Sequence, residues 1–123
     1  MRNSLRILAV DDEPSIAQTM RFIFEQPRYE LASAQDGATA LACLLTDPNA
    51  FDVVITDNNM PGVSGIQLVR QLRERKFTGK ILVLSAHLST EVQAAYKAMS
   101  VDAMIEKPFS IEGLRQTLNR VAS

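Results

Sequence analysis

The sequence predicts an α/β fold in which a doubly wound parallel sheet of five strands carries helices on both faces. Two observations carry that expectation: apolar runs that do not alternate, and stretches of helical spacing between them. Strands covered on both faces of a parallel sheet read as continuous hydrophobic runs. Leu5 to Val10 (broken once by Arg6), Val53 to Ile55 and Ile81 to Leu84 have that character and are predicted as the central strands. Tyr29 to Ala34 and Asp102 to Ile105 are more mixed, as expected nearer the edges.

Between the strands, apolar residues recur at helical intervals: Ile16, Met20, Ile23 and Phe24, then Ala38, Leu41, Ala42 and Leu45, then Leu68, Val69 and Leu72. Pro14 suits a first helical position, Thr90 with Gln93 has the spacing of a capping box, and Ser64 and Ser110 are placed to cap the third and fifth helices. Strand and helix alternate, and right-handed crossovers turn that alternation into a layered sandwich. With so few strands the expected order is 2-1-3-4-5, the flavodoxin-like arrangement, whose crevice lies at the C-terminal strand ends between strands one and three.

The 123 residues suit one compact domain spanning 1–123, with no repeat, low-complexity tract or linker. Thirteen basic residues against 14 acidic ones leave a net charge of −1, which argues against broad attraction to nucleic acid or to an anionic membrane. The N-terminal run from Arg2 to Val10 is too short and too interrupted by charge for a signal peptide, and no stretch approaches the ~20 apolar residues of a membrane span. A cytoplasmic location is expected. Cys43, the sole cysteine, rules out an internal disulfide, and its alanine- and leucine-rich surroundings predict ordinary packing.

The predicted crevice collects chemistry. Strand one is followed at once by Asp11, Asp12 and Glu13, and strand three runs into Thr56 and Asp57, so Asp11, Asp12 and Asp57 meet at one edge. Carboxylates brought together repel one another and lose hydration, so the arrangement calls for cations. One candidate is magnesium, which prefers octahedral oxygen ligands and usually keeps several waters. Asp12 and Asp57 would bind it directly, Asp11 through water, and Asn59 with its backbone carbonyl; manganese can substitute. The other cation is Lys107, which follows the last strand and can pair with Asp57 or with a phosphoryl oxygen. Ser85 brings a hydroxyl to the same rim, and Ala86 beside it takes little room. A nucleophilic carboxylate, a metal site, a lysine and a hydroxyl donor are the parts needed to move a phosphoryl group onto Asp57. Helix capping by hydrated aspartates is the plain alternative; it explains one such residue, but not complementary residues at four strand ends.

With these residues placed, the chain resembles the receiver domain of two-component response regulators, including the stand-alone chemotaxis type. The matching motifs are Asp11-Asp12, the run Asp57-Asn58-Asn59-Met60-Pro61-Gly62, Ser85-Ala86, and Lys107-Pro108-Phe109. The resemblance implies that Asp57 takes phosphate from a phosphohistidine on a sensor histidine kinase or a histidine phosphotransfer protein. It also implies that Asp12, Asp57 and the Asn59 carbonyl hold magnesium, that Ser85 and Lys107 grip the phosphoryl oxygens, and that the Lys107-Pro108 bond is cis. The receiver would promote only its own phosphorylation and dephosphorylation.

Gly62 and Gly65 fit a loop that turns beside the acceptor. His87, the sole histidine, holds a position that in similar receivers flanks the phosphoryl group; with Asn59 it is expected to influence how water reaches that group. One residue departs from the pattern. Three positions before the lysine, where similar proteins carry tyrosine or phenylalanine as a switch, this chain has Met104. In similar proteins the face made by the fourth helix, fifth strand and fifth helix binds targets or forms dimers, and here it would include Tyr96, Lys97, Met104 and Arg115.

Three other readings compete. A haloacid-dehalogenase-like enzyme would carry Asp-x-Asp after strand one, whereas Asp11 and Asp12 are adjacent and no length remains for a cap. A flavodoxin-like cofactor carrier needs a phosphate-wrapping loop there, which Asp11-Asp12-Glu13-Pro14 would repel. A receiver-shaped module that is never phosphorylated would have no use for the full set of acids, hydroxyl and lysine. Ending soon after the fifth helix, the chain reads as either a single-domain regulator or a receiver excised from a longer protein.

Overall fold

A computed structural model describes residues 4–60 and 62–122; Pro61 of the loop motif, and Arg2 at the start of the N-terminal run, lie outside the described residues. The elements follow in strict alternation: β1 (Leu5–Val10), α1 (Pro14–Ile23), β2 (Tyr29–Ala34), α2 (Gly37–Thr46), β3 (Val53–Asp57), α3 (Gly65–Glu74), β4 (Lys80–Ser85), α4 (Thr90–Ala98), β5 (Ala103–Glu106) and α5 (Ile111–Ala122). All paired strands are parallel and the order is β2-β1-β3-β4-β5, as expected.

Strand parity explains the unbroken apolar runs. Leu8, Val10, Val54, Ile81 and Val83 join one buried cluster with residues of α2, α3 and α4, while Ile7, Ala9, Val53, Ile55, Leu82 and Leu84 join another with residues of α1 and α5. Successive side chains point to opposite faces, so a strand with a core on each side needs apolar residues at every position. Burying each aliphatic side chain contributes roughly 1.5–3 kcal/mol. The three central strands are thereby clamped from both sides, which fixes where their C-terminal ends deliver Asp11, Asp57 and Ser85.

Helix starts follow local chemistry. Pro14 opens α1, and Ser64 caps α3 in a full capping box with Gln67. Ser110 Oγ accepts from Gly113 N at 2.9 Å. For α4 the cap is Ser89, which accepts from Val92 N at 3.2 Å, rather than Thr90; Gln93 instead donates to Leu88 O. Adjacent Ser and Thr are both competent caps, and spacing alone does not choose between them.

The inward face of α2 also differs from expectation. Gly37, Ala40 and Leu44 are buried, whereas Ala38, Ala42 and Leu45 are exposed and only Leu41 is part-buried. A helix apolar all round offers no polar side from which to read its orientation. Cys43 lies on the exposed side too, so its predicted packing is not observed.

Candidate functional site

Val10 and Thr56 are register partners on adjacent strands, so β1 and β3 release Asp11 and Asp57 side by side. The backbone then fixes three chain segments. Asp11 N donates to Ala34 O, Asn58 N donates to Leu84 O at 2.8 Å, and Lys107 N donates to Ser85 O at 2.8 Å. Each hydrogen bond extends the sheet just past the end of a strand, so the loops leave from defined positions.

Carboxylate oxygens of Asp11, Asp12 and Asp57 lie within 4.8 Å of one another. Asp11 and Asp57 are 7% and 5% exposed, whereas Asp12 faces solvent. Lys107 Nζ reaches between them, 3.1 Å from Asp57 Oδ1, 3.3 Å from Asp11 Oδ2 and 3.8 Å from Glu13 Oε1. Asp11 is oriented in turn by its Oδ1, which accepts from Glu13 N at 2.9 Å.

The electrostatics reflect this crowding. Burial raises the Asp57 pKa; Lys107 works against that rise, and the charges of Asp11 and Asp12 add to it. For Lys107, burial opposes the charged form, but the hydrogen bond to Asp57 and the charges of Asp11 and Asp57 outweigh it, so its pKa is raised and it stays an ammonium. One lysine paired with Asp11, Asp57 and Glu13, with Asp12 close by, leaves excess negative charge. Its hard oxygen donors, close together and partly open to solvent, match what magnesium prefers.

The residues around the crevice have partners of their own. Ser85 ends β4 fully buried, but its hydroxyl donates to His87 O at 2.9 Å and accepts from His87 N at 3.2 Å, so it serves the β4–α4 loop. Ala86, His87 and Asn59 are exposed around the crevice. The Lys107-Pro108 bond is cis, and Gln26-Pro27 is cis as well. Gly62 has φ +77°, where a side chain is resisted. Gly65 is required by space: a Cβ there would lie 2.6 Å from both Asp57 O and the Tyr96 hydroxyl.

Met104, part-buried, packs against the cluster that contains Tyr96. The expected output face needs two corrections. Tyr96 is fully buried, because it lies on the side of α4 that closes over the sheet. Arg115 turns away toward α1, donating to Ile23 O at 3.4 Å and pairing with Glu112. Lys97 remains exposed.

Asn58 is the residue that sequence reasoning passed over. Its side-chain oxygen accepts from the Tyr96 hydroxyl, and its backbone oxygen accepts from Gly65 N. A sequence signal existed in the helical step from Val92 to Tyr96, which aims an aromatic inward from a short helix.

A five-stranded, doubly wound sheet with an acidic cluster and a lysine at its switch point defines a phosphoryl-handling class of domain. The chain belongs to the response regulator receiver domain family, whose model matches residues 7–119, and the family function is phosphoryl transfer in two-component signalling. It is 33% identical over 127 residues to the virulence sensor protein BvgS of Bordetella bronchiseptica, covering 98% of this chain and 10% of that protein. It is 35% identical over 108 residues to the transcriptional regulatory protein ResD of Bacillus subtilis, covering 88% of this chain and 44% of that one. The chain thus spans a minor part of these relatives. Among solved structures, the chemotaxis protein CheY4 of Vibrio cholerae superposes with a TM-score of 0.87 at 36% identity, covering 96% of this chain and 98% of that one. Among the described residues, no helix is long and apolar enough to cross a membrane.

Proposed function

We propose that Asp57 is the phosphoacceptor of this receiver and that Asp11, Asp12, Ser85, Asn59 and Lys107 serve the transfer. The observation that carries the reading is Lys107 Nζ bridging Asp57 and Asp11 inside a three-carboxylate cluster. A carboxylate oxygen of Asp57 attacks the phosphorus of a phosphohistidine; the new O–P bond forms as the P–N bond breaks, and the imidazole leaves with its electron pair. A carboxylate nucleophile needs no base, since it has no proton to lose.

Lys107, poised on Asp57, moves its charge onto the phosphoryl oxygens as they approach. The Ser85 hydroxyl turns from His87 O to donate to one of them. Asp12, Asp57 and the Asn59 carbonyl would hold a magnesium ion, with Asp11 assisting through water, and such an ion would supply further positive charge to the phosphoryl oxygens; manganese would serve similarly. Asn59 and His87, exposed beside the crevice, modulate how water approaches for hydrolysis, and the small Ala86 keeps the rim open. The domain promotes only these reactions of its own acceptor and is not an enzyme acting on a separate substrate.

Residues 1–123 form one receiver domain working in the cytoplasm, served by a sensor histidine kinase or a histidine phosphotransfer protein. Its output passes through the exposed part of the α4–β5–α5 face, including Lys97 and the accessible part of Met104, to a target protein or a second phosphorylated copy, with no direct contact to nucleic acid or membrane. The test is to incubate the protein and Asp57→Asn with acetyl phosphate, with and without magnesium. A phosphoryl mass gain that needs both magnesium and Asp57 is expected; a gain that persists in Asp57→Asn contradicts the assignment.

A further inference from the structure

We infer that Tyr96, reaching from α4 to the residue beside the phosphoacceptor, is the positioning residue through which phosphorylation of Asp57 is carried to α4. The inference rests on the acceptor assignment above.

Three observations point the same way. First, Tyr96 is fully buried, and its hydroxyl donates to the side-chain oxygen of Asn58, the immediate neighbour of Asp57. Burial first, and the charge of Asp57 second, hold the phenol pKa well above its usual value, so it remains a neutral donor. Second, Asn58 is held by its main chain on two sides: its N–H donates to Leu84 O in β4, and its C=O accepts from Gly65 N at the start of α3. Its side chain therefore links the backbone beside Asp57 to a helix that the sheet ladder does not reach. Third, there is no slack around the hydroxyl. The place where a Gly65 Cβ would stand is 2.6 Å from the phenol oxygen and 2.6 Å from Asp57 O.

A phosphoryl group on Asp57 and an ion taken up by Asp57 and the Asn59 carbonyl would load the backbone on both sides of Asn58. Asn58, between them, is then displaced, or its bond to Tyr96 is strained or broken. The ring is fully buried in the apolar cluster that also holds residues of β3, β4 and α3, so the displacement falls on α4 as a whole. Met104 completes the argument. The strand position that carries the switch aromatic in similar proteins holds a flexible thioether in the same apolar cluster as Tyr96, so the ring and hydroxyl come from the helix instead. The exposed side of α4, with Glu91 and Lys97, is where the shift becomes visible to a partner.

The test compares backbone amide NMR shifts before and after phosphorylation by acetyl phosphate and magnesium, with mass spectrometry run on the same samples. In the native protein, amides of residues 90–98 are expected to move. In Tyr96→Phe, which keeps the ring, the phosphoryl mass gain is expected to persist while the α4 shifts are mostly lost. Asn58→Ala removes the same bond from the other side and is expected to give the same loss. The double variant is expected to lose no more than either single one, because all three remove one interaction. Full α4 shifts in phosphorylated Tyr96→Phe or Asn58→Ala overturn the inference and leave the acceptor assignment standing. If the native protein gains no phosphoryl mass, the acceptor assignment fails and takes the inference with it.

Discussion

The two edges of this sheet are both charged, and they are charged in opposite ways. At the N-terminal edge two aspartates have cations beside them: Asp52 pairs with Arg6 at 3.5 Å, and Asp102 pairs with Arg73 at 3.8 Å and Lys80 at 4.0 Å. Backbone groups there are served as well, with Arg6 N on Asp52 at 2.9 Å and Ile81 N on Asp102 at 2.8 Å. At the C-terminal edge, three aspartates and Glu13 gather around Lys107. The first edge is balanced and structural. The second carries a charge debt that the chain does not settle by itself, and the proposed function would place an ion and a phosphoryl group there.

The largest test of this contrast exchanges the lysines. Lys107→Met is expected to slow phosphoryl uptake by on the order of 10² to 10³, the usual loss when one charge-stabilising donor is removed. Lys80→Met, at the opposite edge, is expected to leave the rate within about twofold, since it touches none of the reacting groups. Equal losses in the two variants would erase the distinction between the edges.

Magnesium sharpens the comparison. A ligand that binds only the folded state at a hundred times its Kd stabilises by about 2.7 kcal/mol. Thermal melts are expected to show a magnesium-dependent rise in Tm for the native protein and for Asp102→Asn, and a much smaller rise for Asp12→Asn. The metal-free melts are expected to divide the other way. Asp102→Ala should destabilise by roughly 1–3 kcal/mol by stranding Ile81 N and two cations. Asp57→Asn should raise the Tm by removing an unfavourably placed charge.

The smallest effect concerns pH. Burial raises the Asp57 pKa above its ordinary 3.8 in the metal-free protein. An acid raised on folding binds its proton more tightly in the native state, so its stabilising contribution is complete below 3.8 and is lost as pH rises through the raised native value. The advantage of Asp57→Asn over the native protein is therefore expected to be full above the raised native value and to vanish on acidification toward 3.8, as followed by urea unfolding across pH.

What the sequence made legible follows from which forces act locally. Strand positions and their order were readable because burial on two faces demands apolar residues at every step, as in Ile81 to Leu84. Asp11 and Asp57 were readable because they sit at the ends of such runs, and Lys107 because it follows the last, more mixed strand. The facing of α2 was not, since Ala38 to Leu45 is apolar on every side and only contact with Val63 and the sheet selects Gly37 and Ala40. Ser85 was correctly put at the rim, but its bond to His87 depends on the loop conformation that follows. Tyr96 was assigned to the surface because sequence spacing shows which residues share a helix side, not which side closes over the sheet. The hydrogen bond to Asn58 spans 38 residues and exists only in the folded chain.

The most direct measurement of the central claim is to locate the phosphoryl group itself. Phosphorylated protein is treated with borohydride, which reduces an acyl phosphate to the alcohol, and the peptides are then sequenced by mass spectrometry. Homoserine at position 57 alone, formed only when magnesium was present during phosphorylation, is the predicted result. Homoserine at position 11 or 12, or reduction at position 57 that does not depend on magnesium, would contradict the account.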